Sequence, residues 1–438
     1  MIRNQLTTNP LKVSVITLGC PMNQVDSEHI MGKLVSLGFE IVPEEKADVI
    51  VVNTCGFIEE AREESIETIL TVADLKEKGC LKSLIVTGCL AERYRTEIER
   101  NLPEADAVIG LSEQDRIPLL CLELIDRQPI ETTIYSRVVT GPPFTAYLKI
   151  AEGCNNRCSY CSIPMIRGAY KSLPFKEIIG EAEELASLGT RELILLAQDT
   201  TRYGDDLNDC KLTDVLCRLS DIEGIEWIRL LYTHPARFSD EVIEMMRDLP
   251  KILPYIDMPI QHISNKILDR MGRATSPGRI YSLINSLRER IEDVVLRTSL
   301  MVGFPGETDE DFRLLVEFVK RIRFERLGAF IFSPEEGTQA VQFKDKVPEE
   351  VAEERFETLM ETQAQIAQEF HRSLIGREMD MIVDAVNPEN GTVVGRTYMD
   401  APDIDGTLTA IGSVEKDTAF CRVRITDADT YDLVGDIL

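Results

Sequence analysis

Residues 145–161, with the sequence TAYLKIAEGCNNRCSYC, join a strand-like apolar run to a loop that carries three cysteines. Cys154, Cys158 and Cys161 form a CxxxCxxC spacing directly after this predicted strand. Three thiolates so close in sequence can bind three irons of a cubane cluster and leave the fourth iron open to another ligand. Structural zinc sites use CxxC pairs and four protein ligands, so zinc and unrelated thiols are the weaker interpretations.

Downstream of this loop, strand-like and helix-like segments alternate as far as a long helix predicted from Pro348 to about Ile375. Six or so β/α units in roughly 230 residues favour a barrel or partial barrel over an open sheet. The sequence therefore predicts a central partial (β/α) barrel domain over residues 140–373. The predicted strands include ELILLAQD, WIRLLYTH, YIDMPIQH, VVLRTSLMVG and RLGAFIFSP.

Upstream, residues 12–110 alternate near-continuous Val/Ile/Leu runs with helix-like segments, which is typical of a parallel sheet buried on both faces. We expect an N-terminal doubly wound parallel-sheet domain over residues 11–127. Cys20, Cys55 and Cys89 each end one of its predicted strands. Ligands bind at that edge of such sheets, so the three thiols are expected to converge. Spacing alone leaves separate buried cysteines open as an alternative, whereas Cys80 precedes its strand and is the weaker candidate.

From residue 376 the pattern changes to five short strands separated by turn residues, which predicts a small antiparallel β-barrel over residues 376–438. The whole chain is thus an α/β protein with a β-barrel at its C-terminal end. This last segment holds five basic and thirteen acidic residues, a net charge of −8. Phosphate binding requires Lys and Arg, so the segment is poorly suited to nucleic acid and better suited to a basic protein.

Length and composition agree with several domains, because 438 residues exceed what one hydrophobic core usually supports. No apolar run approaches the roughly 20 residues of a membrane span, and the N-terminus has no export signal. We therefore expect a cytoplasmic protein without a membrane partner. In that reducing compartment its eleven cysteines are core residues, metal ligands or catalysts rather than disulfides.

Other candidate positions carry weaker signals. Gln198, Asp199 and His234 end predicted barrel strands, where a polar group is either functional or satisfied by a rim hydrogen bond. Gly303 and Gly306, in GFPGET, permit close backbone approach to a ligand but also suit an ordinary strand-to-helix turn. The cysteines interpreted as structural are Cys80, Cys121, Cys210, Cys217 and Cys421.

The CxxxCxxC loop resembles the signature of the radical S-adenosylmethionine (SAM) enzymes. The resemblance implies a [4Fe-4S] cluster on Cys154, Cys158 and Cys161 whose open iron is chelated by SAM. It also implies that Tyr160 packs near the adenine and that Gly303 and Gly306 lie on the cofactor-binding side of the barrel. Gln198 is expected to bind the cofactor as well, because of its position at a strand end. Tyr160 could equally be a rim-packing residue.

The flanks of the N-terminal cysteines, LGCPMNQVDSE, NTCGFIEEAREESIETIL and TGCLAERY, resemble the methylthiotransferases of that superfamily. This implies a second, sulfur-bearing [4Fe-4S] cluster on Cys20, Cys55 and Cys89 and a C-terminal TRAM barrel. Further motifs, among them AQDTTRYG, LLYTHPARF and TYDLVGDI, resemble the RimO type. That type modifies an aspartate of the small-subunit ribosomal protein at the decoding centre, replacing C–H by C–S–CH₃. A second SAM then supplies the methyl group, and a flavodoxin- or ferredoxin-type protein donates electrons.

Two other functions remain open at this point. A tRNA adenosine methylthiotransferase shares every proposed cluster ligand, but the −8 barrel makes tRNA an unlikely partner. A non-catalytic iron–sulfur electron carrier normally coordinates every iron by protein, whereas this chain supplies three ligands per cluster. If the ribosomal protein is the substrate, we expect acidic residues of the barrel such as Asp403 and Asp405 to dock it.

Overall fold

The computed structural model describes residues 11–129 and 136–438. Contacts group the chain into two compact units. The first holds the described residues up to Thr140 together with Ser162–Gly168, and the second holds Gly141–Cys161 and Ala169–Leu438. Within the described ranges, none of the helices has the length and apolar character needed to cross a membrane.

The first unit contains a five-stranded, fully parallel sheet in the order β2-β1-β3-β4-β5, which confirms the predicted doubly wound fold. Its strands are β1 (Leu11–Thr17), β2 (Phe39–Ile41), β3 (Val49–Thr54), β4 (Ser83–Gly88) and β5 (Ala107–Ile109). Its helices are α1 (Pro21–Ser36), α2 (Glu59–Glu77), α3 (Cys89–Arg93), α4 (Arg95–Asn101), α5 (Ile117–Leu124) and the short α6 (Ile163–Ile166).

The central strands of this sheet are apolar throughout because both of their faces are covered. Ile50 and Val52 of β3 belong to a core cluster that includes Ile69 of α2. Val49 and Val51, which point the other way, belong to a second cluster that includes Leu34 of α1. Alternate residues of a strand face opposite sides, so two helical layers require an unbroken apolar strand.

The second unit begins with a six-stranded parallel sheet in the order β13-β12-β11-β10-β9-β6, which is the partial barrel. The strands are β6 (Thr145–Lys149), β9 (Glu192–Leu196), β10 (Trp227–Leu230), β11 (Ile252–Asp257), β12 (Val295–Val302) and β13 (Arg326–Ile331), with a two-stranded ribbon formed by β7 (Ala151–Glu152) and β8 (Lys171–Ser172). The helices are α7 (Phe175–Ser187), α8 (Leu212–Ser220), α9 (Asp240–Asp248), α10 (Asn265–Arg270), α11 (Pro277–Arg290), α12 (Asp309–Ile322) and α13 (Glu349–Ser373).

The same unit ends in the expected closed five-stranded barrel, ordered β14-β15-β16-β18-β17. These strands are β14 (Glu378–Asn387), β15 (Thr392–Arg396), β16 (Leu408–Ile411), β17 (Phe420–Ala428) and β18 (Leu433–Ile437). One pairing differs from the purely antiparallel expectation, because β16 and β18 pair in parallel. This follows from the position of β17, which comes between them in sequence. β17 pairs antiparallel with both β14 and β18 and so closes the barrel, which leaves β16 and β18 running in the same direction.

Buried ion pairs join this small barrel to the partial barrel. Arg396 of β15 lies 2.9 Å from Oε2 of Glu192, the first residue of β9, and 2.8 Å from Oδ2 of Asp384. Arg229 of β10 lies 2.8 Å from the other carboxylate oxygen of Glu192. Because Glu192, Arg229 and Arg396 are shielded from water, each of these charges depends on its partners for solvation.

Asp405 belongs to the same interface, which corrects its predicted role in docking a substrate. Its side chain is 3% exposed and lies 3.4 Å from Nε of Arg297, and Tyr255 donates a hydrogen bond of 2.6 Å to it. Asp403 remains exposed. A count of charged residues could not separate the two, because it does not reveal which carboxylates are already paired within the chain.

Candidate functional site

The three N-terminal cysteines lie at the carboxyl edge of the first-unit sheet. Cys20 is the residue before α1, Cys55 directly follows β3, and Cys89 opens α3 after β4. Gly19, the residue before Cys20, lies against Cys55, since a Cβ added to Gly19 would lie 2.8 Å from the Cys55 sulfur. Cys80, the alternative to Cys89, is exposed in the turn before β4.

Burial disfavours deprotonation of two of these three thiols. It raises the pKa of Cys55 and raises that of Cys89 to about 12, and the nearby Cys20 thiol raises both further. The cation of Arg167 acts in the opposite direction on both thiols. A metal-bound thiolate needs such positive charge nearby, so the group is chemically matched to a cationic ligand.

Arg167 is a buried member of this site that sequence analysis missed. It lies six positions after Cys161 in the chain, within the segment Ser162–Gly168 of the first unit. Its Nη2 lies 2.6 Å from Oδ1 of Asn23 and 3.1 Å from Oδ2 of Asp26. The same Asn23 oxygen lies 3.5 Å from the Cys89 sulfur. Arg167 and Asn23 thus form a polar wall beside the thiols.

The CxxxCxxC loop in the second unit is held by backbone hydrogen bonds. The backbone nitrogen of Ser159 donates to the carbonyl oxygen of Met271 across 2.9 Å, and the carbonyl oxygen of Ser159 accepts from the backbone nitrogen of Ala340 across 2.7 Å. Gly272 has a φ of +69°, and an added Cβ would lie 2.5 Å from the carbonyl oxygen of Arg157. The loop therefore needs glycine at position 272.

Two donors point at sulfurs of this loop. The backbone nitrogen of Asn156 lies 3.4 Å from the Cys154 sulfur, and Nη1 of the buried Arg273 lies 3.8 Å from the Cys158 sulfur. Burial raises the pKa of Cys154, which favours the thiol form of this residue over the thiolate. Both donors stabilise negative charge on sulfur, which suits thiolate ligands.

The predicted strand-end residues form a polar network beside the loop. Asn156 donates to Oδ2 of Asp199 across 2.9 Å, and Arg237 lies 3.2 Å from the same oxygen. Gln198 donates to Glu152 across 3.3 Å, while its own side-chain oxygen is buried and finds no hydrogen-bond partner within the described part of the chain. An unpaired buried acceptor is costly, so this oxygen is a candidate ligand contact.

His234 is neutral in this environment. Burial lowers its pKa to about 2, with the cation of Arg273 as the next contribution. Its Nδ1 accepts a hydrogen bond from the backbone nitrogen of Ala236 across 3.2 Å, which leaves the proton on Nε2. His234 can therefore donate a hydrogen bond but is poorly placed to act as a base.

Tyr160, Gly303 and Gly306 each pack against other side chains of the protein. The Tyr160 ring packs edge-on against Phe304, with 6.4 Å between centroids. Gly303 and Gly306 both have positive φ, and an added Cβ would lie 2.7 Å from Cβ of Ala352 and 2.8 Å from Oδ2 of Asp345, respectively. Packing alone accounts for both glycines, so their role in cofactor binding stays a prediction.

The arrangement of the two sets of thiols differs from that of a single-ion site. Over residues 11–129 and 136–438, no three His, Cys, Asp or Glu side chains are grouped so that they could hold one metal ion. A cubane places each thiolate on a different iron and so needs no common centre. Each set offers three sulfur donors, at least one of them buried, beside a buried arginine.

Sequence reasoning found the thiols but missed Asn23, Arg167 and Arg273. Asn23 lies within the quoted segment LGCPMNQVDSE. Arg167 lies in IPMIRG (163–168), just after the CxxxCxxC loop, and a charged residue in that apolar run was the available signal. For Arg273 the sequence offered no comparable signal, because its sulfur contact spans more than a hundred residues.

Three protein families match consecutive parts of the chain. Residues 12–110 match the uncharacterized protein family UPF0004, residues 148–319 match the radical SAM superfamily, and residues 375–438 match the TRAM domain. The radical SAM match implies one [4Fe-4S] cluster and SAM.

Curated relatives extend over nearly the full length. The ribosomal protein uS12 methylthiotransferase RimO of Geobacter sulfurreducens is 45% identical over 98% of this chain and 98% of its own. The protein of the same name from Lachnoclostridium phytofermentans is 45% identical over 97% of this chain and 99% of its own. Among solved structures, the radical SAM methyltransferase TsrM from Kitasatospora setae aligns with a TM-score of 0.52 at 14% identity. That alignment covers 74% of this chain and 72% of TsrM, and it supports the fold alone.

Proposed function

The chain belongs to the RimO family of ribosomal protein uS12 methylthiotransferases within the radical SAM superfamily, and we propose that it replaces a C–H hydrogen of a uS12 aspartate by SCH₃. Such a carbon has neither an acidic proton nor a leaving group, so acid–base and nucleophilic routes offer no low barrier. A radical abstraction is required, followed by addition of sulfur and of a methyl group that a second SAM supplies.

In this proposal Cys154, Cys158 and Cys161 hold the cluster that binds SAM, and Cys20, Cys55 and Cys89 hold a second, sulfur-bearing cluster. When bound, the first supplies the electron that cleaves SAM to a 5′-deoxyadenosyl radical, and the second supplies the sulfur. The chain's own residues bury Cys55, Cys89 and Cys154 and provide positive charge beside both sets of thiols, from Arg273 in one set and Arg167 in the other. Tyr160 and Gln198 would border the bound SAM.

The observation that carries the two-cluster proposal is the group formed by Cys20, Cys55 and Cys89. A radical SAM enzyme needs one cluster to cleave SAM, so a second group of three thiols at a ligand-binding sheet edge calls for a separate task. Sulfur delivery fits that task because an iron without a protein ligand can bind an external sulfur atom. Electrons would come from a flavodoxin- or ferredoxin-type donor in the cytoplasm.

The decisive experiment offers both candidate substrates to the anaerobically reconstituted full chain with SAM and a reductant. We expect uS12 to gain one SCH₃ in place of one hydrogen, while tRNA stays unmodified and 5′-deoxyadenosine accumulates. Methylthiolated adenosine in tRNA with unmodified uS12 would instead establish a tRNA methylthiotransferase. A chain that reduces and reoxidises without cleaving SAM would be an electron carrier.

A further inference from the structure

A groove of about 430 Å³ runs between α2 and the pair α3–α4 of the first unit. It begins at the cysteine site, because Glu59 lies four residues after Cys55 and Leu90 directly follows Cys89. Gly56 packs closely against α3 at this end of the groove, since an added Cβ would lie 2.8 Å from Cα of Leu90. The α2 groove, as we call it, therefore shares a loop and a helix start with the thiols.

The floor and one wall of the α2 groove are apolar. Leu90 and Ile98 line it from α3 and α4 and are themselves buried. Ile66 lines it from α2 with 41% of its surface exposed, and Leu70, one turn further on, is 47% exposed. Ile58, two turns before Ile66, is exposed as well. Large apolar side chains grouped on a surface usually mark an interaction site.

The rim of the groove is acidic. Glu59, Glu63 and Glu97 line it, together with Arg62. The whole of α2 carries seven acidic and two basic residues, a net charge of −5. Such a surface repels phosphate and attracts a basic polypeptide.

We propose that the α2 groove docks a basic segment of the substrate ribosomal protein, with an apolar side chain of that segment against Ile66 and Leu90. The inference rests on the proposed function and adds the place of docking. A ribosomal protein is basic because it binds RNA phosphates, so its charge complements α2. Docking here places the neighbouring part of the substrate beside the site that would carry the sulfur.

The C-terminal barrel is the alternative docking surface, but ion pairs within the chain leave fewer of its carboxylates available to a partner. Asp384 and Asp405 pair with Arg396 and Arg297, so these carboxylates are unavailable to a partner. The exposed Asp403 provides a matched control for charge. Reversing one exposed acid on each surface therefore separates the two docking sites at equal change in net charge.

The test measures the affinity of the full-length chain for purified uS12 and the KM of methylthiolation. Glu63→Lys and Ile66→Ser should each weaken binding and raise KM, and the two substitutions combined should do so by about tenfold or more. The kcat and the substrate-free formation of 5′-deoxyadenosine should stay unchanged. Asp403→Lys should leave affinity within about twofold of the parent chain. Unfolding midpoints equal to that of the parent chain would show that the variants are folded.

Weaker binding with Asp403→Lys and unchanged binding with both groove variants would overturn the inference and leave the proposed function intact. Unchanged binding with all three variants would overturn it as well. A parent chain that neither binds nor modifies uS12 would remove the proposed function itself. A midpoint shift confined to Ile66→Ser leaves Glu63→Lys, at an exposed position, as the deciding variant.

Discussion

The Nη2 atom of Arg167 lies 2.6 Å from Oδ1 of Asn23, the same oxygen that lies 3.5 Å from the Cys89 sulfur. Arg167 follows the CxxxCxxC motif by six positions in the chain, yet its side chain belongs to the other group of thiols. The segment that directly follows one cysteine motif in sequence thus contributes a residue to the other group of thiols. This connection makes Arg167 the most informative single position outside the cysteines.

We predict that Arg167→Lys lowers the iron content of the first unit. Lysine keeps the charge but cannot reproduce the two-pronged contact with Asn23 and Asp26. Iron should be counted in a chain whose Cys154, Cys158 and Cys161 are replaced by Ala. With Arg167 intact, this chain should retain about four irons. Lys33→Met, which removes an exposed ion pair of α1, is the control and should retain the same iron. Equal iron in both variants would limit Arg167 to a packing role.

A second prediction concerns the number of clusters. Reconstitution of the parent chain should yield about eight irons, and replacing Cys154, Cys158 and Cys161 by Ala should remove about half. Cys80→Ala should change nothing, because Cys80 precedes β4 and so lies at the opposite end of that strand from Cys89. Iron quantitation with electron paramagnetic resonance of the reduced protein checks this. Zinc in the first unit, or a single cluster, would contradict it.

The two groups of thiols should also separate by task. Cys158→Ala should abolish 5′-deoxyadenosine formation, because SAM then lacks an assembled iron site. Cys55→Ala should retain some SAM cleavage and lose methylthiolation of uS12. Chromatography of the nucleoside and mass analysis of the protein measure the two products independently. Normal methylthiolation by Cys55→Ala would show that these thiols do not carry the sulfur.

The ion pairs between the barrels should be critical for stability. Glu192→Gln leaves Arg229 and Arg396 with one fewer anion in a fully buried site, and breaking such a pair costs about 3–5 kcal/mol. Arg422→Ala removes an exposed pair with Asp380 and should cost less than about 1 kcal/mol. Urea unfolding of both variants tests the contrast. Similar losses would mean that the buried network is dispensable.

Acid should destabilise the protein through its buried histidines. Burial lowers the pKa of His262 to about 3, below the 6.5 expected of an unfolded chain. The unfolded state therefore takes up a proton below pH 6.5 and the folded state does not. The stability from this residue is complete above pH 6.5 and decreases by up to about 1.4 kcal/mol per pH unit below it.

Replacing the histidine isolates this effect from other titrating groups. His262→Asn can still accept the 2.9 Å hydrogen bond from the backbone nitrogen of Ser264. The difference in unfolding free energy between variant and parent should change in favour of the variant as pH falls from 7.5 to 5.5. A difference independent of pH would show that His262 titrates normally in the fold.

Local sequence was sufficient for the elements that carry the thiols. The apolar runs ending in Cys20, Cys55 and Cys89 predicted parallel strands, and parallel strands place their carboxyl ends at one edge regardless of their separation in sequence. Cys154, Cys158 and Cys161 needed even less, because one short loop contains all three. The predicted domain boundaries at residues 11–127, 140–373 and 376–438 stay predictions.

Only the tertiary structure revealed which charges are in contact. Arg273 reaches Cys158 across more than a hundred residues, and Arg396 reaches Glu192 across more than two hundred. Asp403 and Asp405 lie two positions apart in one turn, yet one is exposed and the other is buried against Arg297 and Tyr255. Periodicity and spacing report which face of its own element a residue occupies. The partner of a charge depends on how distant elements pack, and that packing determines which carboxylates remain available to a substrate.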